Sequence, residues 1–152
     1  MLTPAQELAT MIAIAADAHM HQVDKQGIPY FLHLKTVADY LHTTDMQLMA
    51  IAYGHDLLED TKWKAEDLDN IGFSDRVMNG IVAMTKTNGD YDAYKKQVKA
   101  NPDAVLVKMC DLRHNLDVRR LKNKVLTAKD VERIIKYKTF YAELEELCSN
   151  TR

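Results

Sequence analysis

The sequence is poor in the residues that build irregular or covalently cross-linked structure. Among its 152 residues are only five Gly, three Pro and two Cys, and no tract is rich in Ser or Gln. This scarcity argues against a disordered chain, a repeat protein and a disulfide scaffold. With 47% hydrophobic residues the chain can bury a core of its own, so we expect one domain spanning residues 1–152.

The sequence also lacks an excess of positive charge and a long apolar run. Its 20 basic and 22 acidic side chains give a net charge of −2, which argues against a protein that coats nucleic acid. No window reaches the length of a membrane span, and no basic segment leads into an apolar run at the N-terminus. Cys110 and Cys148 form no CxxC pair and are expected to be reduced thiols. We therefore expect a cytoplasmic protein with neither a membrane nor a nucleic acid as partner.

Helical patterns account for most of the chain. Apolar residues recur at helical spacing after Thr3-Pro4 and after Thr127, and predict helices that end near His21 and Leu147. No segment combines period-two alternation with hairpin-turn residues, so the predicted fold class is all-α. The other main predicted helices cover residues 32–42, 44–60, 64–70, 74–84, 91–100 and 103–115. The helix over residues 44–60 is expected to start with a capping box formed by Thr44 and Gln47.

Two imidazoles and two carboxylates, in the order His…His-Asp…Asp, are the strongest functional signal. This mixture of nitrogen and oxygen donors suits one divalent transition metal, and its members are His33, His55, Asp56 and Asp111. Such a cation lowers the pKa of bound water and so makes a nucleophile available for attack on phosphorus. On a continuous helix Glu59 and Asp60 would follow the His-Asp pair by one turn, where they could transfer protons. Without the His-Asp pair beside it, this acidic pair would indicate only an exposed helix end.

The strings that carry these residues resemble those of the HD-domain hydrolases, and within them the hydrolase half of the RelA/SpoT alarmone enzymes. The similarity runs from the first helix to Leu121, and its three strings are residues 27–33, 55–61 and 107–115. It implies a single HD-domain helical bundle that holds one metal, usually manganese, on the four residues just named. It also implies release of pyrophosphate from the ribose 3′ position of a purine nucleotide, with Glu59 and Asp60 in the proton-transfer role.

A substrate of high negative charge requires cationic side chains. The candidates, in a loop, after Thr85 and just past the third string, are Lys25, Lys86, Arg119 and Arg120. The resemblance also implies that Lys25 and the Thr85-Lys86 pair lie near the substrate. Lys122 is interpreted as an ordinary surface charge.

Two further residues, one aromatic and one polar, could contribute to the site, whereas a nearby histidine is not expected to. Tyr91 could stack on a base or pack in the core. Asn115 lies four residues after Asp111 and could reach the ribose or a ligand, or cap the helix end. His114 lies on a different stripe of that helix, so we expect it to be a packing or surface residue rather than a ligand.

The sequence departs from the guanine-recognising members at Asp24. Those members place an Arg directly before the residue that matches Lys25, where the guanidinium can stack on the base. Asp24 cannot provide that contact, but its carboxylate could accept a hydrogen bond from an exocyclic amine of either purine. A second departure is Leu112, which follows Asp111 where the usual pattern has a basic residue. These departures leave (p)ppGpp and (pp)pApp both open as substrates.

The chain resembles the stand-alone small alarmone hydrolases, because no synthetase domain follows the hydrolase strings. We therefore expect hydrolysis without synthesis, either in a stringent response or as an antitoxin to a cognate toxic alarmone synthetase. Two alternatives stay open. One is an HD phosphohydrolase of ordinary nucleotides, such as a 5′-nucleotidase, and the other is a nucleotide-binding module without turnover.

Overall fold

The chain is mainly helical in the part described by a computed structural model, which comprises residues 1–121 and 125–150. The nine α-helices found there are α1 (Pro4–Ala18), α2 (Phe31–Tyr40), α3 (Met46–Gly54), α4 (Leu57–Asp60), α5 (Ala65–Ile71), α6 (Asp75–Ala83), α7 (Tyr91–Lys99), α8 (Pro102–Asn115) and α9 (Ala128–Asn150). A 3₁₀ turn at Val118–Arg120 follows α8. These ranges contain no strand, and their only extended pairing is an isolated bridge between Val23 and Pro29. The predicted all-α class is confirmed.

Helix α3 is the centre of the fold, packing against α1, α2, α6 and α8. Every residue from Ala50 to Gly54 is buried, so the helix has no polar face. Two glycines allow the close approach of its neighbours. A Cβ on Gly54 would lie 2.7 Å from Ile81 Cδ1 and 2.8 Å from Met11 Sδ, and a Cβ on Gly80 would lie 2.5 Å from Ile51 Cδ1. The end of α3 is therefore held tightly between α1 and α6.

The predicted helix over residues 44–60 is wrong in two respects. Its N-cap is Asp45, whose side chain accepts a hydrogen bond from the amide of Leu48, so the expected box of Thr44 and Gln47 does not form. Gln47 instead donates to the buried carboxylate of Glu7. The helix also stops at Gly54 and resumes at Leu57 as the short α4. The apolar periodicity continues across this corner, which explains why the pattern did not reveal it.

The other predicted helices are present, with small changes at their ends. Helix α1 ends at Ala18, three residues before the predicted end, and the last helix continues to Asn150. Both cysteines are thiols and are partly buried against the core. No helix in residues 1–121 or 125–150 is both long enough and apolar enough to span a membrane.

Candidate functional site

Three separate parts of the fold bring the four predicted metal ligands together. His33 lies in the first turn of α2, His55 and Asp56 form the corner between α3 and α4, and Asp111 lies on α8. His33 Nε2 is 2.9 Å and His55 Nε2 is 3.4 Å from Asp111 Oδ1, while His55 Nε2 is 3.2 Å from Asp56 Oδ2. The donor atoms of His33, His55 and Asp111 lie within 4.8 Å of one another, a spacing that could hold a metal ion.

The orientation of His55 is fixed by the backbone of α3. Its Nδ1–H donates to the carbonyl of Ala52 over 2.7 Å, and a carbonyl can only accept. The second nitrogen, Nε2, is buried and has no hydrogen-bond partner in the described residues, although the Asp56 and Asp111 carboxylates lie close by. The lone pair of Nε2 would repel these two carboxylates unless a proton or a metal cation lay between the nitrogen and the carboxylate oxygens. This arrangement fits a metal, because metal-binding histidines typically donate their other ring N–H to a backbone carbonyl or a carboxylate.

Asp111 is held by side chains one turn away on its own helix. Lys108 Nζ donates to Oδ2 over 2.9 Å, and Asn115 Nδ2 donates to Oδ1 over 3.1 Å. Oδ1 therefore faces the imidazoles while Oδ2 is neutralised by an ammonium group. Asn115 thus contacts Asp111, which is a proposed ligand, and the C-cap of the helix is Leu116 instead.

A second histidine supports His33 from behind. The His33 and His114 rings stack with centroids 4.9 Å apart, and their Nδ1 atoms are 2.7 Å apart. Burial, followed by the charge of Arg120, lowers the pKa of His114 to about 4, so His114 is neutral and can accept a hydrogen bond at Nδ1. With a cation at His33 Nε2, the ring proton of a neutral His33 lies on Nδ1 and is donated to His114. His114 is thus a packing residue, as predicted, but one that orients a proposed ligand.

Tyr30 supports the fourth residue of the cluster. Its hydroxyl donates to Asp56 Oδ2 over 2.5 Å. Burial and the charge of Asp56 raise the pKa of Tyr30, so it remains a phenol and a hydrogen-bond donor. Each carboxylate of the cluster therefore accepts at least one hydrogen bond from outside the ligand set.

The electrostatics of the cluster are those of a cation site. Burial opposes ionisation of both carboxyls, but the charge of His55 lowers the pKa of Asp56 to about 2, and Lys108 holds the pKa of Asp111 well below its usual range. Burial likewise opposes charge on His55, yet Asp56 and Asp111 raise its pKa well above the usual value. The cluster therefore stabilises a positive charge among its donors. A divalent cation can replace that proton, since metal binding and protonation compete for the same lone pairs.

Glu59 and Asp60 lie beside this cluster on α4. One carboxylate oxygen from each of Asp56, Glu59 and Asp60 lies within 4.8 Å of the other two. Glu59 Oε1 accepts a hydrogen bond from the amide of Lys86 over 2.8 Å, which holds the loop after α6 against α4. Burial, followed by the charges of Asp56 and Glu59, raises the pKa of Asp60 to about 6. Asp60 can thus take up and release a proton near neutral pH.

Two adjacent cavities open around these groups. The smaller, of about 180 Å³, is lined by residues that include Asp56, Glu59, Asp60, Lys86, Tyr91, Tyr94, Lys108, Asp111 and Lys136. The larger, of about 530 Å³, is lined by residues that include Asp24, Lys25, Arg120, Asp130 and Arg133. Tyr30, Asn115 and Tyr137 line both cavities, so the two are neighbours, and together they are called the cleft below.

The predicted substrate contacts separate into those that line this cleft and one that does not. Lys25 and Arg120 line the larger cavity, and Lys86 and Tyr91 line the smaller one. Arg119 lines neither. Its side chain is 83% exposed and pairs with Asp117, because neighbouring residues of the 3₁₀ turn point in different directions. Lys122 lies outside the described residues.

Asp24 lines the larger cavity, but its carboxylate is largely committed to the loop. Oδ1 accepts hydrogen bonds from the amides of Gln26 and Ile28, and Oδ2 lies 3.4 Å from a guanidinium nitrogen of Arg120. Arg120 also donates to Asn115 Oδ1 over 3.0 Å. Asp24 and Arg120 therefore connect the loop to the end of α8, in addition to facing the cleft.

Several residues of the site were not predicted from the sequence as site residues. Lys108 and His114 lie three residues before and after Asp111, and Tyr30 lies three residues before His33. Helical spacing was the signal that could have identified the two on α8, because residues three apart share a face. Nothing in the sequence pattern pointed to Lys136 or Tyr137, which reach the cleft from α9.

No protein-family model matches the chain. A solved structure that it does match is that of a metazoan ortholog of SpoT, which hydrolyzes ppGpp and plays a role in starvation responses. The two chains superpose with a TM-score of 0.74 and share 22% sequence identity, over 95% of this chain and 88% of the other. They have the same fold. The predicted helical bundle is thereby confirmed as a fold, and the resemblance to SpoT-like proteins is confirmed at the level of architecture.

Proposed function

We propose that this protein is a metal-dependent 3′-pyrophosphohydrolase of purine alarmone nucleotides, (p)ppGpp or (pp)pApp. One observation carries the proposal. A cluster of two imidazoles and two carboxylates, flanked by a second acidic pair, shares one cleft with several lysines. The donors suit a divalent cation, the acidic pair suits proton transfer, and the lysines suit a polyanion. The fold shared with a SpoT ortholog that hydrolyzes ppGpp supports the same assignment.

The cation would be held by His33, His55, Asp56 and Asp111. We propose Mn²⁺, the metal that the sequence resemblance implies, and the mixed imidazole and carboxylate donors are compatible with a divalent transition ion. When bound, such an ion supplies Lewis acidity that polarises a phosphoryl oxygen and lowers the pKa of water.

The acidic pair on α4 would carry out the proton transfers. Glu59, held by the Lys86 amide, orients the attacking water, and Asp60, beside it on α4, accepts the proton that the water loses. The water oxygen forms a bond to the phosphorus next to the ribose, and the bond between that phosphorus and the 3′ oxygen breaks. Asp60 then returns a proton to the 3′ oxygen. The products are pyrophosphate and a nucleoside 5′-phosphate with a free 3′ hydroxyl.

The nucleoside would occupy the larger cavity. At about 530 Å³ this cavity is within the size range of small-molecule sites, and Lys25 supplies a cation there for 5′ phosphates. Tyr137, which lines both cavities, would lie between the nucleoside and the 3′ phosphates. Asp24, next to Lys25, would face the base and influence the choice of purine.

The experiment is a product analysis with purified protein, Mn²⁺ and matched guanosine and adenosine nucleotides that carry a 3′ pyrophosphate. Pyrophosphate and a nucleoside 5′-phosphate are the expected products. Release of orthophosphate from ordinary 5′-nucleotides, with 3′-pyrophosphates untouched, would indicate a 5′-nucleotidase instead. Tight binding of the nucleotides without turnover would indicate a binding module.

We further propose that the protein acts in the cytoplasm and can neutralise a cognate toxic alarmone synthetase by destroying its product. The two thiols are compatible with a reducing compartment. Coexpression with a toxic synthetase tests the idea. Growth should be rescued by the wild type and not by Asp60→Asn, whereas rescue by both would mean that binding suffices.

A further inference from the structure

Lysine ammonium groups from three other parts of the chain lie over two tyrosine rings on α7. Lys86 and Lys108 lie over the ring of Tyr94, with Nζ 5.8 Å and 5.3 Å from its centroid. Lys136, from α9, lies 4.0 Å over the ring of Tyr91. The two ring centroids are 6.2 Å apart, and all five residues line the smaller cavity. Three positive charges thus meet in a space of about 180 Å³.

These charges are only partly paired, although the carboxylates of Asp56, Glu59 and Asp60 line the same cavity. Lys108 is paired with Asp111, but within residues 1–121 and 125–150 neither Lys86 nor Lys136 forms an ion pair. Burial, followed by the charges of Lys86 and Lys108, lowers the pKa of Lys136. Lys95 provides a contrast, because it also lies near Tyr91 yet is paired with Glu143. Lys136 is therefore held in the cleft next to like charges, an arrangement that an anion would stabilise.

The anion can be assigned from the position of the reacting atoms, an assignment that rests on the proposed function. The phosphorus under attack must lie at the His-Asp cluster and the acidic pair. The second phosphoryl group of a 3′ pyrophosphate then extends into the rest of the same cavity, where the lysines are. An ammonium group offers three donors to such a group, and the face of Tyr91 holds the ammonium of Lys136 in place.

We propose that Lys136, together with Lys86, binds the terminal phosphoryl group of the 3′ pyrophosphate and so distinguishes pyrophosphorylated from monophosphorylated nucleotides. Lys136 is then a specificity-determining residue contributed by α9, outside the three strings that carry the metal and acid groups. Its contribution should be largest for substrates and products with two linked phosphates.

The test is direct binding of inorganic pyrophosphate, orthophosphate and a nucleoside 5′-monophosphate to the full-length, manganese-loaded protein, measured by calorimetry. Lys136→Gln should weaken pyrophosphate binding by about 10-fold, the loss expected for one charge-assisted hydrogen bond. Orthophosphate and the 5′-monophosphate should bind nearly as in the wild type, and Lys136→Arg should recover most of the affinity. The matched control is Lys138→Gln, since Lys138 is exposed on the same helix, as Lys136 is, but lies over Tyr141 instead.

Several results would overturn this assignment. Unchanged pyrophosphate affinity in Lys136→Gln would remove the residue from the site, and an equal loss in Lys138→Gln would reduce the effect to overall charge. A loss confined to the 5′-monophosphate would place Lys136 at the other end of the nucleotide. If Lys136→Gln weakens pyrophosphate binding selectively but the wild type hydrolyses no 3′-pyrophosphate, the subsite stands and the proposed function fails.

Discussion

Replacing His114 by Phe should weaken metal binding although His114 itself lies behind the cluster. His33 and His114 are stacked, with their Nδ1 atoms 2.7 Å apart. Phenylalanine keeps a ring in the stack but removes the acceptor, so the N–H of His33 is left buried without a partner. An unsatisfied buried donor costs about 1–3 kcal/mol, and this cost corresponds to an affinity roughly 5- to 150-fold lower. Loss of a hydrogen bond that orients a metal-bound histidine typically costs about 10–100-fold, which agrees.

The assay is a titration of chelator-treated protein with Mn²⁺, compared among His114→Phe, His114→Asn and wild type. Asparagine can place an acceptor near the position of Nδ1, so the Mn²⁺ affinity of His114→Asn should lie between those of His114→Phe and wild type. His21→Phe is the control, because His21 is exposed and remote from the cluster. Wild-type affinity in a folded His114→Phe protein would refute the argument that His114 orients His33.

Four further predictions follow from the site. His55→Ala or Asp56→Asn should abolish both stoichiometric metal, measured by elemental analysis, and turnover; full activity in a metal-free variant would contradict the ligand assignment. Glu59→Gln and Asp60→Asn should retain metal while turnover falls by about 10²–10⁴-fold, and wild-type rates would exclude the proton-transfer role. Burial raises the pKa of Asp60 from 3.8 to about 6, so its stabilising contribution is complete below pH 3.8 and is lost as the pH rises through 6. The melting temperature of chelator-treated wild type should therefore fall relative to that of Asp60→Asn as the pH rises across that interval. Melting temperatures that change with pH in the same way in both proteins would contradict the pKa shift. Asp24→Arg should move the ratio of kcat/KM toward guanosine substrates by roughly 2- to 30-fold, as expected for stacking worth about 0.5–2 kcal/mol, and an unchanged ratio would place base selection elsewhere.

The sequence was sufficient to predict the fold class and the convergence of the four candidate ligands. Each ligand lies in a short string whose residue types serve one chemical purpose, so the order His33, His55-Asp56, Asp111 already indicated a common centre. The all-α class followed from helical periodicity, which reflects burial of one helix face. These features depend on local sequence or on chemistry shared by the whole set.

Features that depend on tertiary packing could not be predicted in this way. The corner at His55-Asp56 lies within an unbroken apolar pattern, and it forms where α3 meets α1 and α6. Arg119 and Arg120 are adjacent and chemically equal, yet one pairs with Asp117 on the surface and the other faces the cleft. Lys136 reaches the cleft only because α9 packs against α7 and α8. Periodicity in the sequence does not reveal such contacts, because the helices that form them are far apart along the chain.

The packing around the glycine at the end of α3, outside the cleft, also determines the geometry of the site. Gly54 directly precedes His55, and a Cβ there would require the buried side chains of Met11 and Ile81 to shift. The depth of α3 in the bundle therefore also sets where the imidazole of His55 sits. In a random mutagenesis screen for inactive but folded protein, the mutational map should include Gly54 and its two apolar neighbours alongside the polar residues of the cleft. Buried residues that take no part in catalysis would then be found in the screen together with the residues of the site.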